Sequence, residues 1–500
     1  MSRTALRWLL LGLIVRLALA SGLDLGNDEV YYRLYALYPD WSHFDHPAML
    51  GWLTALMTGF SSAPTDLALR GLPLLCGTLG AWLTYKIGES VGGEKAGEFA
   101  VALHTASLYS SVITGTFLMP DAPQSVFWLA TLNLAVQQLP KGTPHWGAWT
   151  TMGLLIAGAL LSKYHSAFLV VGIWGFCAAR ARRHFTTVGF WWMNAVGALG
   201  LLPTLWWNQS NDWISFAFHG ERVQPTHGLR FDFAAQEIAG EIAYQNPVVW
   251  WMVWAAIIAV CRGRWRKQPE ASLLLFTAIP LLTVFIGFSL FRRTLPHWTG
   301  PAYLTLLPLA GTLASSWGKQ GRRLVRAAIG LFAAIVVVGL AHIRTGCITP
   351  SAGLDNAAED VTLDLFGWEQ AGSLWMEFMT AEGLDPDRTA LISPGWFPAA
   401  HLDHYLSAPS GCKTYALGNL AAVHKFAWVH REWGTPSDSD RFFLVTDSRN
   451  FPRADAWRED HFPDILWRTA GTIDRGGKPV KALFVIEVPF CPKTDITSVH

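Results

Sequence analysis

Ionisable and aromatic side chains gather where apolar runs end. Asn27-Asp28-Glu29-Val30-Tyr31-Tyr32 follows the first apolar run, and His43-Phe44-Asp45-His46-Pro47 follows soon after. Charges held near lipid are costly and mark function by default; the bland reading is a solvated loop. Others occupy the same kind of position: Asp121 in Met119-Pro120-Asp121-Ala122-Pro123, the run Lys163-Tyr164-His165, then Asn208, Asp212, His219, Glu221 and Arg222, and Arg292-Arg293 before Pro296-His297-Trp298. One carboxylate beside a reacting hydroxyl is a general base. Further carboxylates and imidazoles can hold a divalent cation. Lys, His and paired Arg suit a phosphate, Arg through its bidentate fork. Together these residues describe group transfer from a phosphate-linked donor at a membrane surface. Each also has a plain structural use: Asp121 as a helix N-cap, Lys163 as a snorkelling side chain, and His219 and Glu221 as ordinary loop residues.

The elements that position them are apolar helices. The 500 residues are 51% hydrophobic and 15% charged, with 26 Trp and 28 Phe, far from the roughly 25% charge of soluble domains. About eleven spans are predicted, at 5–22, 66–88, 96–117, 122–138, 146–162, 166–180, 187–207, 246–261, 270–291, 299–317 and 323–342, each measured against the ~20 residues that cross a bilayer. Residues 1–20 read as a retained first helix and not as a cleaved leader. With a cytoplasmic N-terminus the inner loops carry 16 Lys and Arg, among them Arg180–Arg183 and Arg262–Lys267, and the outer loops carry 7. The positive-inside rule favours that orientation. An odd number of spans then places the tail, and every motif above, on the outer face.

Residues 1–342 hold 24 basic and 16 acidic residues, and residues 343–500 hold 14 and 21. The division is a membrane domain, 1–342, and an acidic soluble domain, 343–500. In the tail, short apolar runs at 389–392, 441–445 and 482–486 alternate with helical stretches such as 367–382, which predicts a small α/β domain. Residues 47–60 are apolar but too short to span, and suit an interfacial helix. Cys76, Cys177 and Cys261 fall in apolar spans as small hydrophobes, whereas Cys347, Cys412 and Cys491 leave room for one disulfide in an extracytoplasmic tail. No Gly-rich phosphate loop or Cys-x-x-Cys pattern occurs, so ATP-driven transport and structural zinc lack motif support.

The succession Asp28-Glu29-x-Tyr31-Tyr32, Phe44-Asp45-His46-Pro47, Pro120-Asp121-x-Pro123, Leu161-Ser162-Lys163-Tyr164, Trp207-Asn208 and Trp298-x-x-Pro301-Ala302-Tyr303 resembles the bacterial family 39-type glycosyltransferases. These are GT-C membrane enzymes related to protein O-mannosyltransferases and to the lipid A aminoarabinose and galacturonic acid transferases. Leu365-Phe366-Gly367-Trp368 and Tyr415-Ala416-Leu417-Gly418 in the tail resemble the family's outer domain, less specifically. The resemblance implies a polytopic α-helical GT-C protein with a C-terminal α/β extracytoplasmic domain. It implies an inverting transfer of a sugar from a polyprenyl phosphate to a lipid A, glycan or protein acceptor at the periplasmic face of a bacterial inner membrane, as in lipopolysaccharide and other envelope glycan assembly. Asp28 is then the catalytic acid–base group, with Glu29 beside it. His46, Lys163, Arg292 and Arg293 are the candidates for donor phosphate. Asp45 with His219 or Glu221 is the candidate set for Mg, Mn or Zn; Asp45-His46-Pro47 stands where aminoarabinose-type relatives have Glu-Lys-Pro. Asp121, Tyr164, His165, Asn208 and His297 complete the site candidates. No nucleic-acid partner is expected. The competing classes are a transporter or flippase of lipid-linked glycans, which calls for broken helices with polar residues at mid-membrane depth, and a non-catalytic glycan-binding membrane protein.

Overall fold

The computed structural model describes all residues except 225–227, 266, 349–353, 355–358, 435, 438–439, 490–495 and 497–500. The chain divides into two compact units, one of residues 1–21, 40–57 and 67–336, the other of residues 22–39, 58–66 and 337–500. Two short stretches near the N-terminus, including Asp28 and Glu29, belong to the tail's unit.

In chain order the helices used below are α1 Arg3–Gly22, α2 Asn27–Leu37, α3 Met49–Met57, α4 Gly71–Gly92, α5 Glu94–Ala106, α6 Asp121–Gln138, α7 Trp146–Ser162, α8 Ala167–Arg180, α9 Val188–Ala198, α10 Leu202–Gln209, α11 Ile214–Val223, α12 Phe231–Gln245, α13 Pro247–Cys261, α14 Pro269–Ser289, α15 Gly300–Ser316 and α16 Lys319–Thr345. Every one of the eleven expected spans contains a helix. By length and composition alone, however, five helical segments among the described residues are long and apolar enough to cross a membrane, or six if the bent pair α12–α13 counts as one. Several helices are shorter than their apolar runs: α8 has 14 residues and α13 has 15. The run 96–117 stops being regular at Ala106 and continues in a π-turn, Tyr109–Ile113. Residues 47–60, too short to span, contain the nine-residue helix α3.

The break between α12 and α13 has a local cause. Asn246 adopts φ of 70°, and Pro247 occupies the first position of the next helix, where its missing N–H costs nothing. Asn246 Oδ1 accepts from Val248 N, while its Nδ2 donates to the carbonyls of Ala106 and Ala328. The side chain thus caps the first turn of α13 and ties the 106° bend to α5 and α16.

The core of this unit is one large apolar cluster running from α4 to α16, with Trp128, Trp149 and Met152 fully covered. Glycines let its elements approach closely, Gly300 and Gly240 among them. A Cβ on Gly300 would sit 2.0 Å from the ring of Tyr109, and one on Gly240 would sit 2.1 Å from Pro296.

The second unit contains a five-stranded mixed sheet in the order β2-β1-β3-β5-β4, formed by β1 Thr389–Pro394, β2 Lys413–Leu417, β3 Arg441–Asp447, β4 Arg468–Arg475 and β5 Lys478–Val488. β1 lies parallel to β2 and β3, whereas β5 runs antiparallel to β3 and β4. The three apolar runs singled out in the sequence are β1, β3 and β5. Tail helices include α17 Trp368–Ala381 and α18 Trp396–Leu402, followed by a π-turn at Asp403–Ser407. Cys347 and Cys412 are free thiols, and Cys491 lies outside the described residues.

Candidate active site

Asp28 sits in the first turn of α2 and is exposed, while Glu29 beside it is 1% exposed. Glu29 Oε2 accepts from Gly26 N at 2.9 Å, the reach-back of a helix cap. Of the two catalytic candidates, Asp28 is the one open to a substrate. The tail holds this helix through side chains hundreds of residues away. Arg33 Nη1 meets Asp403 Oδ2 at 2.6 Å, with both side chains at most 9% exposed. Leu25 N donates to Tyr405 Oη at 2.6 Å, and Trp368 N donates to Asp24 Oδ2 at 2.8 Å. Asp66 binds His404 and Tyr405, each at 2.7 Å. Burial pushes the Asp24 carboxyl up to about 6, against the lowering effect of the Trp368 N–H.

In the membrane unit, the end of α7 and the start of α6 bring Lys163 Nζ to Asp121 Oδ2 at 2.7 Å, with side chains 5% and 1% exposed. Tyr109 Oη donates to Asp121 Oδ1 at 3.1 Å, an approach that Gly300 permits. Asp121 is thus a buried ion-pair partner at a helix start, a use that neither the N-cap nor the ligand reading describes. Lys163, expected at a phosphate, already has its charge balanced.

Around this pair are imidazoles that burial keeps neutral. His46 is pushed down to about 4, chiefly by burial, with Asp45 raising it and Lys163 lowering it. His297 is likewise pushed down to about 4 by burial and Lys163. His165 lies well below its ordinary value for the same reasons, its ring edge-on to Phe285 and Trp298. A neutral imidazole offers one donor and one acceptor, which suits hydroxyl groups better than a phosphate dianion.

The loop at 42–47 closes on itself, with His43 N donating to the His46 carbonyl at 2.9 Å. His219 Nε2 contacts the backbone carbonyl of Asp45 at 3.0 Å, and its ring lies edge-on to Tyr164. Glu221 is exposed. Among the described residues, no group of three His, Cys, Asp or Glu side chains converges to hold a metal ion. Asp45, His219 and Glu221 are not brought together as such a group. Arg292 Nη1 donates to the carbonyls of Glu221 and Gln224, and Arg293 is exposed with its guanidinium 5.2 Å from the centroid of the Phe233 ring. Asn208 is fully buried, donating to Thr204 O and accepting from Ser215 N. It ties the α10–α11 turn together.

Three polar residues were not anticipated. Glu237, Glu241 and Gln245 are each 1% exposed on one face of α12. Thr294 Oγ1 donates to Glu237, Tyr303 Oη to Glu241 and Ser107 Oγ to Gln245. Their four-residue spacing places them on one helix face, and that spacing was the available signal.

Residues 45–207 match the family model described as dolichyl-phosphate-mannose-protein mannosyltransferase. A lipid A galacturonosyltransferase, RgtD of Rhizobium johnstonii, is 22% identical over 299 residues, 59% of this chain and 60% of that relative's length. Among solved structures, ArnT from Cupriavidus metallidurans superposes with a TM-score of 0.60 apo, at 15% identity, covering 96% of this chain and 97% of that one. Its undecaprenyl phosphate complex gives 0.61 at 16% identity with the same coverage. This chain has the GT-C fold. The archaeal oligosaccharyltransferase AglB from Archaeoglobus fulgidus, in complex with an inhibitory peptide and a dolichol-phosphate, is more distant. It gives a TM-score of 0.53 at 14% identity, covering 92% of this chain and 71% of that one.

Proposed function

We propose that this chain is an inverting glycosyltransferase that moves a sugar from a polyprenyl phosphate to a lipid, glycan or protein acceptor at the periplasmic face of a bacterial inner membrane. The observation that carries the reading is Asp28, exposed on the first turn of a helix otherwise almost wholly buried, in a chain whose fold matches an undecaprenyl-phosphate-binding enzyme over 96% of its length. Asp28 accepts the proton of the acceptor hydroxyl as that oxygen attacks the anomeric carbon. The carbon–phosphate oxygen bond breaks with inversion, and polyprenyl phosphate leaves. Arg292 and Arg293 remain candidates for the donor phosphate, whereas Lys163 is committed to Asp121. A positioned base contributes about 10²–10⁴-fold in rate, so Asp28→Asn should abolish detectable transfer while the protein stays folded. Wild-type turnover by Asp28→Asn would remove Asp28 from the mechanism. The acceptor is read from the envelope glycan lost in a deletion strain, by mass spectrometry.

One observation favours a second reading. The α12–α13 break, with Glu237 and Glu241 buried on its first arm, is the kind of discontinuous helix that a flippase would use. Translocation moves a lipid-linked sugar without cleaving it, so release of free polyprenyl phosphate separates the two.

A further inference from the structure

A groove of about 660 Å³ opens away from the motifs discussed so far, lined by Arg180, Cys261, Arg262 and the α14 stretch from Ser272 to Pro280. Its origin lies in helix lengths. At 1.5 Å per residue, α8 and α13, with 14 and 15 residues, extend roughly 21–22 Å. α14, with 21 residues, extends about 31 Å, enough for a hydrocarbon core of about 30 Å. Two short helices beside a long one leave a notch where they stop. A bilayer fills such a mismatch by local adjustment of its own lipids.

The notch is chemically two-faced. Val260, Leu275, Phe276 and Ile279 line it with hydrocarbon, and the guanidiniums of Arg180 and Arg262 stand at the helix ends. A cation at a helix C-terminus is favourable by itself, but that does not explain an apolar trough running about 12 Å along α14 beside it, eight residues at 1.5 Å. Neither side chain makes an ion pair or hydrogen bond to another described residue. Glu270, in the first turn of α14, is not among the lining residues.

We propose that this groove binds an anionic phospholipid, its headgroup phosphate held between Arg180 and Arg262 and an acyl chain lying along α14. Basic pockets between membrane helices take anionic headgroups in this manner, and an Arg fork engages phosphate oxygens bidentately.

The test uses the purified full-length protein in neutral detergent, with phosphatidylglycerol, phosphatidylcholine or inorganic phosphate added and thermal unfolding followed. Phosphatidylglycerol should raise Tm in a saturable manner, and the other two should not. Arg180→Ala/Arg262→Ala should lose most of that rise, and Arg180→Lys/Arg262→Lys should keep part of it. Arg322→Ala/Arg323→Ala removes the same charge outside the groove and should respond like wild type. Equal stabilisation by phosphatidylcholine, an equal effect of free phosphate, or equal loss in the Arg322/Arg323 control would each overturn the proposal.

Discussion

Replacing Lys163 by Met keeps the volume of the stem and removes its charge. Asp121 would then retain the 3.1 Å bond from Tyr109, worth about 1.5–3 kcal/mol to a charged acceptor, while its carboxylate stays 99% covered. Removing one partner of a buried ion pair costs about 3–5 kcal/mol, whereas replacing both by neutral groups of similar shape is close to neutral. At about 2 °C per kcal/mol for a unit of this size, Lys163→Met should lower Tm by roughly 6–10 °C. Lys163→Met/Asp121→Asn should recover most of that loss, so that the double variant loses far less than the sum of the two single losses. The assay is thermal unfolding of wild type, both single variants and the double variant in one detergent, analysed as a double-mutant cycle. Strictly additive losses would show that the two side chains do not pair, and Lys163 would return as a candidate for the donor phosphate.

Asp403→Ala should leave Arg33 as a buried uncompensated charge, at a cost of about 3–5 kcal/mol, and should lower the rate of transfer by loosening α2. Unchanged protease resistance of the tail together with unchanged turnover would refute it. Acid should destabilise the protein. His46 and His297 titrate near 4 in the folded chain and near 6.5 when unfolded, so the unfolded chain binds more protons between those values. Their contribution is complete above pH 6.5 and is lost as pH falls toward 4, at about 1.4 kcal/mol per pH unit per group. Asp24, raised to about 6, and Glu237, raised to about 7, run the opposite way, but burial also pushes His165, His219, His401 and His404 down, so Tm should fall from pH 6.5 to 4; a flat or rising profile would contradict this. The orientation of the chain is tested by a reporter fused after Ala341, which should be active only in the periplasm. Activity only in the cytoplasm would reverse it.

Features set by local pattern were legible in the chain. Apolar runs located the helices, three short runs located β1, β3 and β5, and acidic or basic residues at run ends drew attention to Asp28, Asp45, Asp121 and Lys163. What pairing over long distance decides was not legible. Arg33 meets Asp403 across 370 residues, and nothing local says that residues 22–39 join the tail's unit. Glu29 read as a second catalytic acid because the sequence does not distinguish a cap that turns back to Gly26 from a carboxylate that points outward. Helix ends were overestimated where hydropathy continues past a break, as at Ala106. At Asn246 a side chain caps the helix that follows a bend and binds carbonyls of two other helices, and the apolar run gives no warning of it. The buried face Glu237-Glu241-Gln245 lies outside the apolar runs, and only its four-residue spacing marks it as helical.

The measurement closest to the central claim supplies purified protein with polyprenyl-phosphate-linked sugars and an envelope extract, and follows release of free polyprenyl phosphate. The account predicts acceptor-dependent release by wild type, none by Asp28→Asn, and full activity in Glu221→Gln. Movement of the intact lipid-linked sugar without release, or equal release by Asp28→Asn, would contradict it.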